Sequence, residues 1–181
     1  MSLFVNRRSI YVHYFWGIYT ICATFTWLND LKNNKVVRKG KNLERYQKAL
    51  RDEGLLYDPE LIYYGDWGRE SGHTGAEVLL KKQVTAIFCM NDLMAGGCYD
   101  WADESGIKIP QEISVAGYDN RELSSYYKPP LSTTELPLHD IGYRAAEVMI
   151  GLVEKKSGET AEPQVYKVPC KQLIRQSIKT L

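Results

Sequence analysis

From residue 41 onward the sequence predicts an α/β fold built on a mostly parallel sheet. Three observations predict it. Apolar runs that suit strands alternate with stretches of helical spacing. Two of those runs, VTAIFCMN (84–91) and ISVAGYD (113–119), are near-continuous, as expected for strands covered on both faces. Glycines close two of the helical stretches, at Gly54 and Gly106.

The elements follow in order. NLERYQKALRDEG (42–54) has helical spacing and stops at its glycine. PELIYYG (59–65) reads as a short strand, and SGHTGAEVLLKK (71–82) as a helix with a flexible start. The run 84–91 is a buried strand, and DLMAGGCYDWADESG (92–106) is the helix after it. The run 113–119 is the next buried strand. LHDIGYRAAEVMIGLVEKKSG (138–158) is a long amphipathic helix. VYKVP (165–169) and QLIR (172–175) are late strands. Strand, helix and strand in alternation imply right-handed crossovers. There is no internal repeat and no low-complexity tract.

In such a sheet, ligands bind outside the carboxyl ends of the strands. Three strands here end in polar groups: Asp66–Trp67, Asn91–Asp92 and Asp119–Asn120. These converge on one rim. A carboxylate accepts two hydroxyls at once, and an aromatic ring covers the apolar face of a sugar, so the rim suits a polyhydroxylated ligand. Each Asp also has a plainer reading as the cap of the following helix. That reading is preferred for Asp92. Asp119 is followed by a loop, so it is read as a ligand group.

The bulk numbers are those of an ordinary globular protein. The chain has 181 residues, 44% hydrophobic and 25% charged, with a formal net charge of +1. Residues 1–50 carry nine Lys/Arg and two Asp/Glu, about +7, which leaves the remainder at about −6. The four cysteines show neither a CxxC pair nor metal-ligand spacing. Cys89 and Cys98 read as small core side chains. His73 and His139 lack a nearby nucleophile motif, and no Gly-rich phosphate loop is visible, so the sequence argues against an enzyme.

Residues 1–40 form an atypical aromatic and basic segment. Residues 9–28, SIYVHYFWGIYTICATFTWL, contain no Asp, Glu, Lys or Arg, and NRR precedes them. Twenty such residues are about the length that spans a bilayer, which reads as a signal anchor. The alternatives are a buried strand pair, since the stretch is rich in strand formers, or a misassigned start of the chain. Residues 31–42 read as a basic surface turn or linker.

Five motifs resemble the effector-binding core of the LacI/GalR family of bacterial transcription regulators. They are GDWGRESG (65–72), VTAIFCMNDLMAGG (84–97), IPQEISVAGYDN (109–120), YYKPPLSTT (126–134) and LIRQS (173–177). Their order and spacing are those of the family, and the resemblance covers residues 41–181. It implies a periplasmic-binding-protein-like type I clamp: two α/β lobes closing on a small effector, with most of this chain in the C-terminal lobe. By this resemblance Trp67 packs its ring on the effector. Asn91 and Asp119 bind sugar hydroxyls, and Leu136 and Leu138 fall on hinge positions. The family motif R-x-x-G-[YFW]-x-x-A-L supplies a binding arginine. Here Asn42 stands in its place and Arg45–Tyr46 replaces Gly-aromatic, so Arg45 is the substitute candidate.

The resemblance also implies a homodimer. Its contact is built from Tyr126, Tyr127 and the helix start at Met94–Cys98, where Ala95, Gly96 and Gly97 allow close helix approach. It implies no cofactor or metal, a cytoplasmic protein, and operator DNA as a partner only through a headpiece this chain lacks. The first half of the N-terminal lobe is also missing, so the apolar stripe Ile141, Ala145, Val148, Met149 and Leu152 needs another partner. On this expectation the chain is a truncated or mis-started regulator. The competing reading is a membrane-anchored or exported sugar-binding protein, which rests on residues 9–28.

Overall fold

The computed structural model of the chain describes residues 2–6, 41–154 and 166–179, without the side chains of residues 2–6, 41, 42 and 45. The elements in chain order are β1 (Ser2–Asn6), α1 (Lys41–Asp52), a 3-10 turn (Pro59–Leu61), β2 (Ile62–Tyr64), α2 (Arg69–Leu80), β3 (Ala86–Cys89) and α3 (Asp92–Glu104). Then come β4 (Ser114–Ala116), a second 3-10 turn (Glu122–Ser125), β5 (Thr133–Glu135), α4 (Leu138–Val153) and β6 (Lys171–Leu173).

The sheet has the order β2-β1-β3-β4. β3 and β4 are parallel, with Ile87 opposite Val115. β1 lies antiparallel between β2 and β3, so the sheet is mixed where the sequence predicts a mostly parallel one. β5 and β6 form an antiparallel pair. Parallel bridges Ala116↔Ser132 and Asp119↔Glu135 bring β5 alongside the end of β4.

Layering follows from the period of two along β3. Ile87 and Cys89 face one core with Ala76 and Leu79 of α2, Met94 and Cys98 of α3, and Val115. Phe88 and Met90 face the other, with Leu43, Tyr46 and Leu50 of α1 and with Ile178. All four residues of β3 are buried, as a strand covered on both faces requires. Two helices end at left-handed glycines, Gly54 (φ 68°) and Gly106 (φ 71°). At each, the next amide reaches back to satisfy a late carbonyl, Leu55 to Leu50 (2.7 Å) and Ile107 to Ala102 (2.8 Å).

α2 and α3 cross closely. A Cβ on Gly72 would meet the Met94 carbonyl oxygen at 2.1 Å, and one on Gly97 the Arg69 carbonyl oxygen at 1.9 Å. The small residues of α3 thus serve a helix crossing inside the chain. α4 is the opposite case: none of its residues is buried.

Some boundaries differ from expectation. Residues 166–169 form no strand, because they carry no ladder hydrogen bonds, and Val165 lies outside the described residues. β5 and β1 are strands that periodicity did not indicate. α2 begins earlier, at Arg69. Among the described residues no helix is long and apolar enough to cross a membrane, and residues 9–28 lie outside them.

Candidate functional site

The carboxyl ends of β2, β3 and β4 carry the rim. After β2 the chain turns sharply at Asp66–Gly68. The Asp66 carboxylate accepts from the Gly68 amide (2.9 Å), and Ser71 Oγ donates to the Gly68 carbonyl (3.0 Å). Hydrogen bonds from Ser71 and the Gly68 amide hold the Asp66 carboxyl below the usual carboxylate range. This turn places Trp67 at φ 78°, and the residue is 58% exposed.

Asn91 follows β3 and is buried. Its Oδ1 accepts from the Met94 amide (2.7 Å), which makes it the N-cap of α3, and its Nδ2 donates to the Trp67 carbonyl (2.9 Å). The amide expected to meet ligand is therefore engaged with the protein and ties two rim turns together. The cap expected of Asp92 falls to Asn91, the last extended residue before the helix.

Asp92 does something else. It is fully buried, and its Oδ1 accepts from Thr133 Oγ1 (2.6 Å) while its Oδ2 accepts from the Arg121 amide (2.8 Å). Burial pushes its carboxyl up to about 6, against the lowering effect of those two donors.

β4 runs out into Asp119 (φ 109°) and Asn120 (φ 53°), consecutive non-glycine residues in the left-handed half of backbone space. Of the four such residues with positive φ among those described, three lie on this rim: Trp67, Asp119 and Asn120. Backbone strain of this kind collects at ligand sites. The Asp119 side chain is 23% exposed and 3.5 Å from Arg121 Nε. Burial raises its carboxyl, with the Arg121 charge opposing.

Asp119 borders an open cavity of about 860 Å³, lined also by Arg121, Leu123, Tyr126, Leu136 and Leu138. The cavity thus lies between the loop after β4 and the exit from β5 into α4, and it gathers both expected hinge residues. Trp67 and Asn91 do not line it. Arg45 belongs to α1, but its side chain is outside the described residues. Among the described residues no cluster of His, Cys, Asp and Glu is grouped to hold a metal ion.

The expected dimer residues separate into two pairs. Met94 and Cys98 are 0% and 2% exposed, packed into the α2–α3 core, so their side chains reach no surface. Tyr126 is 71% exposed, with its hydroxyl donating to Glu122 (3.2 Å). Tyr127 stacks on Tyr99 (ring centroids 4.9 Å apart) and donates to the Asp92 carbonyl (3.2 Å). Beside it Arg69 holds Asp100 in a two-toothed pair at 2.5 and 2.6 Å.

Sequence reasoning missed Asp92 as a tie, and it missed Arg175 altogether. Arg175 Nη2 donates to Asn120 Oδ1 (2.8 Å), and Nη1 donates to the Leu131 carbonyl (2.7 Å) and Ser124 Oγ (3.0 Å). Its partners lie far away in sequence, so no local pattern marked it.

A model of the periplasmic binding protein-like domain family matches residues 28–178. The HTH-type transcriptional repressor PurR of Photobacterium profundum is 34% identical over 143 residues, 78% of this chain and 42% of that protein. The HTH-type transcriptional repressor CytR of Escherichia coli is 34% identical over 141 residues, 77% of this chain and 40% of that protein. A solved LacI family transcriptional regulator from Enterococcus faecium, with bound ribose, matches at TM-score 0.67 and 26% identity, over 78% of this chain and 52% of that one. The chain spans about two fifths of the length of the curated relatives it matches.

Proposed function

This chain belongs to the periplasmic binding protein-like family as an effector-binding core of the LacI type, and from that premise we propose that it senses a sugar or related polyhydroxylated molecule for a transcription regulator. The observation that carries the ligand class is Asp119. It is a half-buried carboxylate on a left-handed turn, and it borders the cavity. Such a group accepts two hydroxyls. Trp67, exposed on the turn after β2, stands outside the cavity and is the candidate ring for the apolar side of a ligand that reaches across the rim. Ribose on a related regulator supports the same class. Arg45, in the helix beneath β3, is the candidate for a further polar contact.

On this reading the protein is a non-enzymatic, cytoplasmic switch. Effector binding acts by its differential affinity for two arrangements of the clamp. Operator DNA is the partner of the whole regulator, and two copies meet on the face carrying Tyr126 and Tyr127. The membrane-anchored alternative draws only on residues 9–28, and relatives that are repressors do not favour it.

The test is calorimetric titration of the chain with D-ribose, cellobiose, purine bases and nucleosides, repeated on Asp119→Ala. Binding by one of these, weakened about tenfold or more in the variant, is the expected result. A chain that binds none of them, or a variant that binds as well as the parent, sinks the reading.

A further inference from the structure

The Asp119–Asn120 turn adopts a conformation that neither residue prefers, so something must hold it. Two charged side chains do, from opposite sides. Asp92 reaches the turn through the backbone of Arg121, while its other oxygen takes the Thr133 hydroxyl of β5. Gly117 permits the approach, since a Cβ there would meet Asp92 Oδ1 at 2.3 Å. Arg175 reaches the turn through the side chain of Asn120. Its Nη1 also binds Ser124 and Leu131, further along the same loop, and its own amide donates to Ser132 Oγ (2.8 Å). Neither residue lines the cavity.

We propose that Asp92 and Arg175 are positioning residues for effector binding: from outside the cavity, they clamp the turn that presents Asp119. This rests on the reading of Asp119 as a ligand group. It places control of the cleft partly in the C-terminal segment, which carries Arg175 just after β6. Ligand affinity should therefore respond to residues that the ligand does not touch.

Two variants of Asp92 separate holding from mere folding. Asp92→Ala leaves the Arg121 amide and the Thr133 hydroxyl without their acceptor. Asp92→Asn keeps an oxygen for the Arg121 amide, and its NH₂ donates to a Thr133 hydroxyl turned to accept. Arg175→Lys supplies one point donor group in place of a planar fork.

The experiment is amide hydrogen exchange by NMR on the full chain without ligand, with Ile87 and Val115 as core references. Asp92→Ala should raise exchange at Arg121 about tenfold more than at the references, and Asp92→Asn should stay near the parent. Arg175→Lys should raise it at Asn120 and Leu131. Equal acceleration at the references, or no change at Arg121, overturns the proposal. The parent and these variants are then titrated with D-ribose, cellobiose and nucleosides. Loss of affinity in Asp92→Ala with recovery in Asp92→Asn supports positioning, and undiminished affinity in Asp92→Ala overturns it. A parent chain that binds no probe defeats the functional reading, while the exchange data still decide whether the clamp exists.

Discussion

Helix α4 and the rim segment 117–135 adjoin in sequence, yet they are held in opposite ways. The rim is short of regular structure, with one three-residue strand and one 3-10 turn. It is nevertheless tied at many points: the Gly117 and Asp119 amides to the Ser132 and Thr134 carbonyls, Arg121 to Asp92, and Asn120, Ser124 and Leu131 to Arg175. α4 has sixteen residues of regular helix and not one of them buried. Met149 is 65% exposed and Val153 81%. Regular backbone and tertiary fixation are therefore separate properties here. The irregular segment is fixed by buried polar ties, and the regular one has no buried residue.

The largest way to break that contrast is to cut the rim's central tie. Asp92→Ala removes a fully buried acceptor of two hydrogen bonds and leaves both donors unsatisfied. The expected loss is about 2–4 kcal/mol, from stranding two buried polar groups together with the space left behind. Denaturant unfolding of the variant against the parent measures it. A loss near zero means that the rim is held elsewhere.

A second, smaller effect sharpens the same point through pH. Burial lifts the Asp92 carboxyl from the ordinary 3.8 to about 6. Between about pH 4 and about pH 6 the folded chain therefore keeps a proton that the unfolded chain has released. The contribution of this group to stability is fully present below that window and is lost as pH rises through 6. Asp119 works with burial to raise it; Thr133, the Arg121 amide and Arg175 work against. A change on the order of 1–3 kcal/mol is expected across the window. Asp92→Asn should flatten the profile. A parent profile that already lacks this slope would show that the site is wetter than its geometry implies.

The sequence made parts of this legible and hid others for physical reasons. The run 84–91 identified a strand buried on both faces, because apolar side chains on alternate faces leave a continuous signal. Asp119 stood out because a strand ended in a carboxylate with no helix to cap. The cap expected of Asp92 belongs to Asn91: both are capping types, and only the last extended residue takes the cap. Arg175 was not legible, since its partners lie 44 to 55 residues away and no local pattern encodes them. β1 was hidden for a related reason. Its place is set by ladders to Ile62–Tyr64 and Ala86–Cys89, not by its own periodicity. The need for a partner along α4 was legible as an apolar stripe, since amphipathic spacing is a local property.

The smallest expected effect falls on α4 and completes the comparison. Met149→Ala and Leu152→Ala delete side chains that already stand mostly in water, at 65% and 47% exposure. Little apolar area leaves or enters solvent, so each should change stability by no more than about 0.5 kcal/mol. Helix propensity hardly moves, because Met, Leu and Ala are all good formers. The measurement is denaturant unfolding at two protein concentrations tenfold apart. If either truncation instead costs as much as Asp92→Ala, the stripe is covered in solution and the two regions are fixed alike. Dependence of that cost on concentration would then identify the cover as a second copy, and independence would place it within the chain.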